Sequence, residues 1–205
     1  FNEIAFHDDN LCAACHREQF PELYVDEQPE EGEALPEPAE AESVDQIDWD
    51  SWEPTETAVI CYVFDGDRVL LINKKTGLGS GMVNAPGGRI EPAETAIEAA
   101  VRETEEETGI TPIDPVQVGV LNFQFTDGYS LRGYAFFAWD HTGDMKETDE
   151  ADPFWVPVDK IPYDSMWEDD RYWLPEALAG KHIAGYFIFD DRKMLSIDLQ
   201  SSDRP

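Results

Sequence analysis

Three glutamates, Glu103, Glu106 and Glu107, stand in the run Arg102-Glu103-Thr104-Glu105-Glu106-Glu107-Thr108-Gly109-Ile110. On a helix they are i, i+3 and i+4 neighbours, so their carboxylates crowd one face. That crowding destabilises an isolated helix, and a hard divalent cation such as Mg²⁺ or Mn²⁺, which prefers oxygen ligands, relieves it. Upstream lies Gly88-Arg89-Ile90-Glu91-Pro92-Ala93-Glu94, where Gly88 lets the backbone approach closely before the helix. In so acidic a chain a glutamate cluster alone is more often a solvated face. The spacing is what separates the two readings.

A second constellation is Met166-Trp167-Glu168-Asp169-Asp170-Arg171-Tyr172-Trp173-Leu174-Pro175. Trp167 offers a flat face on which a base can stack. Asp169 and Asp170 can hydrogen-bond a purine edge, and in a partly dry pocket they can hold one proton between them. Taken alone, an acidic surface turn beside a half-buried tryptophan is the commoner reading. A third is Cys12-Ala13-Ala14-Cys15-His16, which admits a c-type haem attachment or a Zn²⁺ site built from His7, Cys12, Cys15 and His16. A plain helical segment with two reduced cysteines is favoured over both.

These residues need elements to hold them. The β-branched and aromatic run Thr57 to Phe64, the turn Asp65-Gly66-Asp67 and the run Arg68 to Ile72 read as a β-hairpin. Residues 74–86 form a glycine-rich loop. Helical periodicity spans Pro92 to Thr108, with Pro92 in the first turn, Gly109 as the stop, and Ile97, Val101 and Thr104 as an apolar face opposite the carboxylates. Val116 to Phe125, Leu131 to Trp139 and Phe154 to Val158 read as strands. Arg171 to Ala179 reads as a helix despite Pro175, and Tyr186 to Phe189 with Met194 to Leu199 as a closing hairpin. Composition divides the chain into a short segment at 1–25, an acidic Pro/Glu/Ala linker at 26–52, and a globular domain at 53–205. Removing residues 1–50 is therefore expected to leave activity nearly unchanged.

The pattern Gly88, Glu94, Arg102-Glu103, Glu106-Glu107, Gly109-Ile110 resembles the signature box of the Nudix hydrolases, with Thr104 departing from an aliphatic position. The resemblance implies an α/β fold, an α/β/α sandwich with a mixed sheet. It further implies that Glu103, Glu106 and Glu107 bind metal and assist the base, that Arg102 and Glu94 fix the helix, and that the Gly87 carbonyl is a further ligand. Residues 166–175 resemble the purine-recognition segment of the 8-oxo-dGTP diphosphatases in that family, as do Glu147 to Glu150, Ile161 to Tyr163 and Gly185 to Phe189. This likeness implies substrate contacts from Asn84, Phe123, Phe125, Trp167, Asp169 and Asp170, and a metal ligand in Glu150. Val83, Ala85 and Pro86 depart from the aromatics such enzymes carry around the asparagine, and Arg89 replaces a lysine. The implied reaction is metal-dependent hydrolysis of an oxidised purine nucleoside triphosphate to monophosphate and pyrophosphate. The alternatives are hydrolysis of ADP-ribose or a dinucleoside polyphosphate, or a non-catalytic nucleotide sensor; the intact glutamates count against the sensor.

Composition narrows the partners. Asp and Glu number 45 against 14 Lys and Arg, a net charge of −31. Such a chain repels polymeric nucleic acid and anionic membranes, while a small anionic substrate stays accessible through a divalent cation. Acidity spread along the whole chain matches proteins of extreme halophiles, where salt screens self-repulsion. No apolar run approaches the roughly 20 residues of a membrane span, and no signal-peptide pattern opens the chain. Three cysteines without a disulfide framework point to a reducing cytoplasm. The expected state is a monomer or small homo-oligomer.

Overall fold

Strand β1 (Glu56–Asp65) sends its side chains alternately to two sides, and both sides are buried. Val59, Cys61 and Val63 enter one core with Ala99, Ala100 and Phe136. Tyr62 and Phe64 enter another with Trp173, Leu174 and Phe187. A computed structural model describes residues 37–203. In it α1 (Ala96–Thr108) supplies the first core and α2 (Asp170–Leu178) the second, which makes an α/β/α sandwich. The segment at 1–25, with its proposed Zn²⁺ ligands His7, Cys12, Cys15 and His16, lies outside the described residues, as does the start of the expected linker.

The main sheet runs β4 (Gly87–Arg89), β1, β7 (Ser130–Ala138), β6 (Val116–Phe125), β10 (Lys181–Asp190), β11 (Lys193–Asp203). It is mixed: β1 lies parallel to β7 and β6 parallel to β10, and the other neighbours are antiparallel. The expected hairpin of β1 with β2 (Arg68–Lys74) pairs only at its tip, Phe64 with Val69 and Asp65 with Arg68. Beyond the tip β2 pairs with β9 (Ala151–Pro157) and with β3 (Val83–Asn84). Two short strands, β5 (Ile110–Ile113) and β8 (Asp140–Gly143), form a separate pair.

Helix α1 starts four residues later than its periodicity predicts. Ala93 has φ +69°, which no right-handed helix accommodates. Thr95 is the N-cap: its hydroxyl accepts the Glu98 N–H (3.3 Å) and Glu98 Oε2 accepts the Thr95 N–H (2.9 Å). Gly109, at φ +76°, ends the helix as expected. The packing face also differs. Ala99, Ala100, Thr104, Glu107 and Thr108 are buried, while Ile97 is 44% exposed. Glu107 therefore belongs to the inward stripe instead of standing opposite it, because Thr104, three residues before it, and Ala100, seven before it, lie on its side of the helix. Thr104, the departure from the box, is satisfied by donating to the Ala100 carbonyl (2.7 Å).

The expected linker is overturned over its last part. Ala41, Val44, Ile47 and Trp52 are buried and cluster with Ile188. The Val44 N–H donates to Ser196 Oγ (3.2 Å), and Trp52 Nε1 donates to Gln124 Oε1 (2.9 Å). An acidic average over this stretch hides apolar residues spaced three apart, which supply enough burial to order it.

Candidate active site

Arg102 is the hub of the acidic end. Its Nε and Nη2 grip the two oxygens of Glu94, each at 2.8 Å, in the planar fork that arginine makes with a carboxylate. Nη1 donates to Glu103 Oε1 (2.7 Å) and Glu106 Oε2 (3.1 Å), and Nη2 also donates to the Arg89 carbonyl (3.0 Å). The Arg102 hydrogen bonds hold the Glu94 carboxyl down at about 2. Glu103 moves the other way: burial, reinforced by Glu107 and Glu106 and opposed by Arg102, pushes its carboxyl up.

Glu107 is 2% exposed and has a donor at each oxygen. Lys74 Nζ is 2.9 Å from Oε1, and the Gly87 N–H donates to Oε2 at 2.9 Å. The two glycines of β4 are steric requirements. A Cβ on Gly87 would collide with the Val59 carbonyl, and one on Gly88 with the Glu103 carboxyl. The requirement is absolute at Gly87, which meets backbone, whereas a side chain at Gly88 would displace the Glu103 carboxyl.

These groups face one end of a cavity of about 460 Å³, within the range of small-molecule sites. Gly87, Gly88, Glu103, Glu107 and Glu150 line that end. Asn84, Phe123, Phe125, Trp167, Asp169 and Asp170 also line the cavity. Among the described residues the structure thus brings the sequence-predicted ones to one cavity, except Glu94, Arg102 and Glu106. Arg102 does not line it and reaches it through Glu103; Glu106 does not line it either and turns to Arg102, 62% exposed at its side chain.

Asp169 and Asp170 are each 3% exposed. Trp173 Nε1 donates to Asp169 Oδ2 (3.1 Å), and the Tyr62 hydroxyl donates to Asp170 Oδ1 (3.1 Å). Asp169 Oδ1 is buried without a partner. Burial raises Asp169 to about 7 and, with the charge of Asp169 beside it, raises Asp170 well above the usual carboxylate range. Two adjacent buried carboxyls behave as one pair that keeps a proton near neutrality. Trp167 is held edge-on by Phe125 and Phe189, with ring centroids at 6.2 and 5.5 Å. The loop residue Gly79, at φ +80°, passes so close to Trp167 and Asn84 that a side chain there would strike both.

The donors at the acidic end are carboxylates and a backbone carbonyl, the set that a hard divalent cation takes. Among the described residues no three acidic, histidine or cysteine side chains converge into a ready-made cage. The carboxylates lean instead on Arg102 and Lys74. Their chemistry fits such an ion: Glu107 and Glu106 push the Glu103 carboxyl up, and among the described residues Arg102 and Lys74 are the cationic side chains paired with these carboxylates.

Sequence reasoning missed Lys74, Tyr62 and Trp173. Trp173 carried a signal, since it stands four residues after Asp169 on a helix. Tyr62 and Lys74 carried none, because only the tertiary fold brings them to Asp170 and Glu107. It also missed a cluster on the cavity wall: the Tyr129 hydroxyl donates to Glu56 Oε2 (2.8 Å), which also accepts from Arg89 Nε (2.7 Å).

Comparison with known proteins agrees with this geometry. The family profile described as NUDIX domain matches residues 54–177. A mouse protein named oxidized purine nucleoside triphosphate hydrolase is 37% identical over 143 residues, covering 69% of this chain and 92% of that relative. A zebrafish (Danio rerio) protein of the same name is 39% identical over 129 residues, 62% of this chain and 83% of the relative. Among solved structures, the mutator MutT protein of Bacillus halodurans superposes with a TM-score of 0.63 at 30% identity, covering 71% of this chain and 97% of its own. With the box folded onto α1 and the profile matched over more than half of its length, the chain belongs to the Nudix hydrolase family.

Proposed function

We propose that the protein hydrolyses oxidised purine nucleoside triphosphates to the monophosphate and pyrophosphate, using Mg²⁺ or Mn²⁺. The observation that carries the substrate is the Asp169–Asp170 pair, buried in the cavity with one oxygen lacking any protein partner. A purine edge mixes donors and acceptors, and oxidation turns a ring acceptor into a donor. A carboxyl pair that keeps one proton can meet either pattern by moving it. The names of the mouse and zebrafish relatives support the same substrate class.

In this reading Trp167 stacks on the base, Asn84 meets its edge, and Phe123 and Phe125 exclude water. The phosphates extend toward Gly87 and Gly88. Glu103, Glu106, Glu107, Glu150 and the Gly87 carbonyl would hold the divalent cation, which when bound neutralises phosphate charge and makes water a stronger nucleophile. Glu103 and Glu106 are the carboxylates that take up the proton lost by the attacking water. As the new oxygen–phosphorus bond forms, a bridging oxygen–phosphorus bond breaks and pyrophosphate departs. Arg102, anchored by Glu94, orients Glu103 and Glu106 for that transfer.

The net charge of −31 supports an enzyme of a high-salt cell with no polymeric nucleic-acid partner, and three cysteines without a disulfide framework support a cytoplasmic one. Among the described residues no helix is long and apolar enough to cross a membrane. The test is kcat/KM on a panel of oxidised purine, ordinary purine and pyrimidine triphosphates, ADP-ribose and dinucleoside polyphosphates, with Mg²⁺ at high salt. Oxidised purine triphosphates should rank first; a leading ADP-ribose would reject the proposal.

A further inference from the structure

Tyr129 stands at the turn between β6 and β7, with its ring against Phe125 (centroids 5.5 Å apart). Both line the cavity. Its hydroxyl is committed to Glu56, so the ring offers a ligand only an apolar face. The neighbouring Arg89 follows Gly88 at the acidic end, while Phe125 touches Trp167 at the base end. Tyr129 therefore flanks the middle of the cavity, where the sugar joins base to phosphate.

Behind this wall lies Gln124, 3% exposed. Its Nε2 donates to two carbonyls, those of Phe125 (3.0 Å) and Tyr129 (3.2 Å). Its Oε1 accepts the Trp52 indole N–H (2.9 Å). Trp52 is itself pinned: the Arg132 guanidinium lies 5.4 Å from its ring centre, and Arg132 Nε donates to Asn122 Oδ1 (2.8 Å). Without the Trp52 N–H the buried Gln124 oxygen is unsatisfied, a cost that favours a shift of the amide away from its present position. The Phe125 and Tyr129 carbonyls would keep their backbone donors, the N–H groups of Gly128 (3.1 Å) and Phe125 (2.9 Å), but lose their side-chain brace, which loosens the turn that carries Tyr129.

We propose that Tyr129 is a specificity-determining residue of the nucleoside cavity, and that Trp52 is a positioning residue that sets Tyr129 through Gln124. This inference rests on the reading of the cavity as a nucleoside triphosphate site. Residues 38–52 are thereby the rear support of the substrate wall as well as a covering of the sheet.

The test uses the full-length chain and the triphosphate that the wild type turns over best. Tyr129→Ala should raise KM about tenfold and leave kcat within about twofold, since ring packing acts on binding. Trp52→Phe keeps an aromatic ring and removes only the N–H; it should raise KM severalfold. The double variant should be no worse than Tyr129→Ala alone, because both act through one contact. Where Tyr129→Ala fails to fold, Tyr129→Leu keeps the bulk without the flat ring and serves the same comparison. Thermal denaturation separates stability from binding. Lowered melting temperatures with wild-type KM, or fully additive KM losses, would overturn the inference alone. Absence of turnover on every nucleoside triphosphate would overturn it together with the reading beneath it.

Discussion

Asp169→Asn alters the chemistry of one atom in the cavity without changing its volume. In the wild type Oδ2 accepts from Trp173 and Oδ1 has no protein partner, so Oδ1 is the atom offered to substrate. Asparagine keeps an oxygen for Trp173 and turns an amide toward the base. That amide donates only and has no proton to lose. A substrate edge that needs an acceptor there loses one buried hydrogen bond, about 1–3 kcal/mol, or roughly tenfold to a hundredfold in kcat/KM. A pyrimidine triphosphate, too short to reach Asp169 in the same way, should lose much less. Stability moves in the opposite direction. Burial raises Asp169 from 3.8 to about 7, so between those values the folded state holds a proton that the unfolded chain has released. That contribution is complete below the unfolded value and is lost as pH rises through about 7. The asparagine variant has no such loss. It should match the wild type in acid and exceed it above about pH 8 by an amount on the order of a few kcal/mol. Steady-state kinetics on purine and pyrimidine triphosphates, with melting temperature followed against pH, read both effects. Equal kinetic losses on the two substrate classes, or melting curves that shift in parallel with pH, would refute the reasoning.

Three further outcomes are expected. Glu107→Gln keeps the Gly87 N–H satisfied but removes a proposed metal carboxylate and the partner of Lys74; turnover under limiting Mg²⁺ should fall about a hundredfold or more while circular dichroism stays unchanged. Deleting residues 1–36 should leave melting temperature and kcat/KM as they are, whereas deleting through Trp52 should cost about 1.5–3 kcal/mol for each large buried side chain lost, read by denaturant titration. Raising KCl from about 0.1 M to about 1 M shortens the screening length from about 10 Å to about 3 Å and should raise the melting temperature of a chain of net charge −31; a flat or falling response would remove the argument for a high-salt origin.

The acidic half of the site was legible because its geometry is local. Arg102, Glu103 and Glu107 are linked by helical spacing, and Gly88 and Glu94 stand on the short strand and loop just before that helix; spacing is what a sequence displays directly. Strand β6 was legible over its full length, Val116 to Phe125, because its apolar and aromatic residues recur throughout, although the alternation shifts phase at Val120-Leu121. The start of α1 was misread although its signal stood in plain view. Thr95 and Glu98 form a capping box, a more local and stronger marker than Pro92. The buried face of α1 was misread because Ile97 and Val101 look like packing residues, whereas the residues that turn inward are small or polar: Ala99, Ala100, Thr104, Glu107 and Thr108. Residues 38–52 were hidden by averaging, and Lys74, Tyr62 and Tyr129 by distance along the chain. Nothing in a strand's pattern says which buried tyrosine will meet which carboxyl.

In the proposed reaction a divalent cation at the carboxylates of α1 drives cleavage of an oxidised purine triphosphate within the triphosphate chain. The most direct test follows wild-type protein with 8-oxo-dGTP by ³¹P NMR, with Mg²⁺ and then with excess chelator. The account predicts equal amounts of nucleoside monophosphate and pyrophosphate with Mg²⁺, and no turnover once it is removed. Release of orthophosphate with a nucleoside diphosphate, or cleavage that persists in chelator, would contradict it.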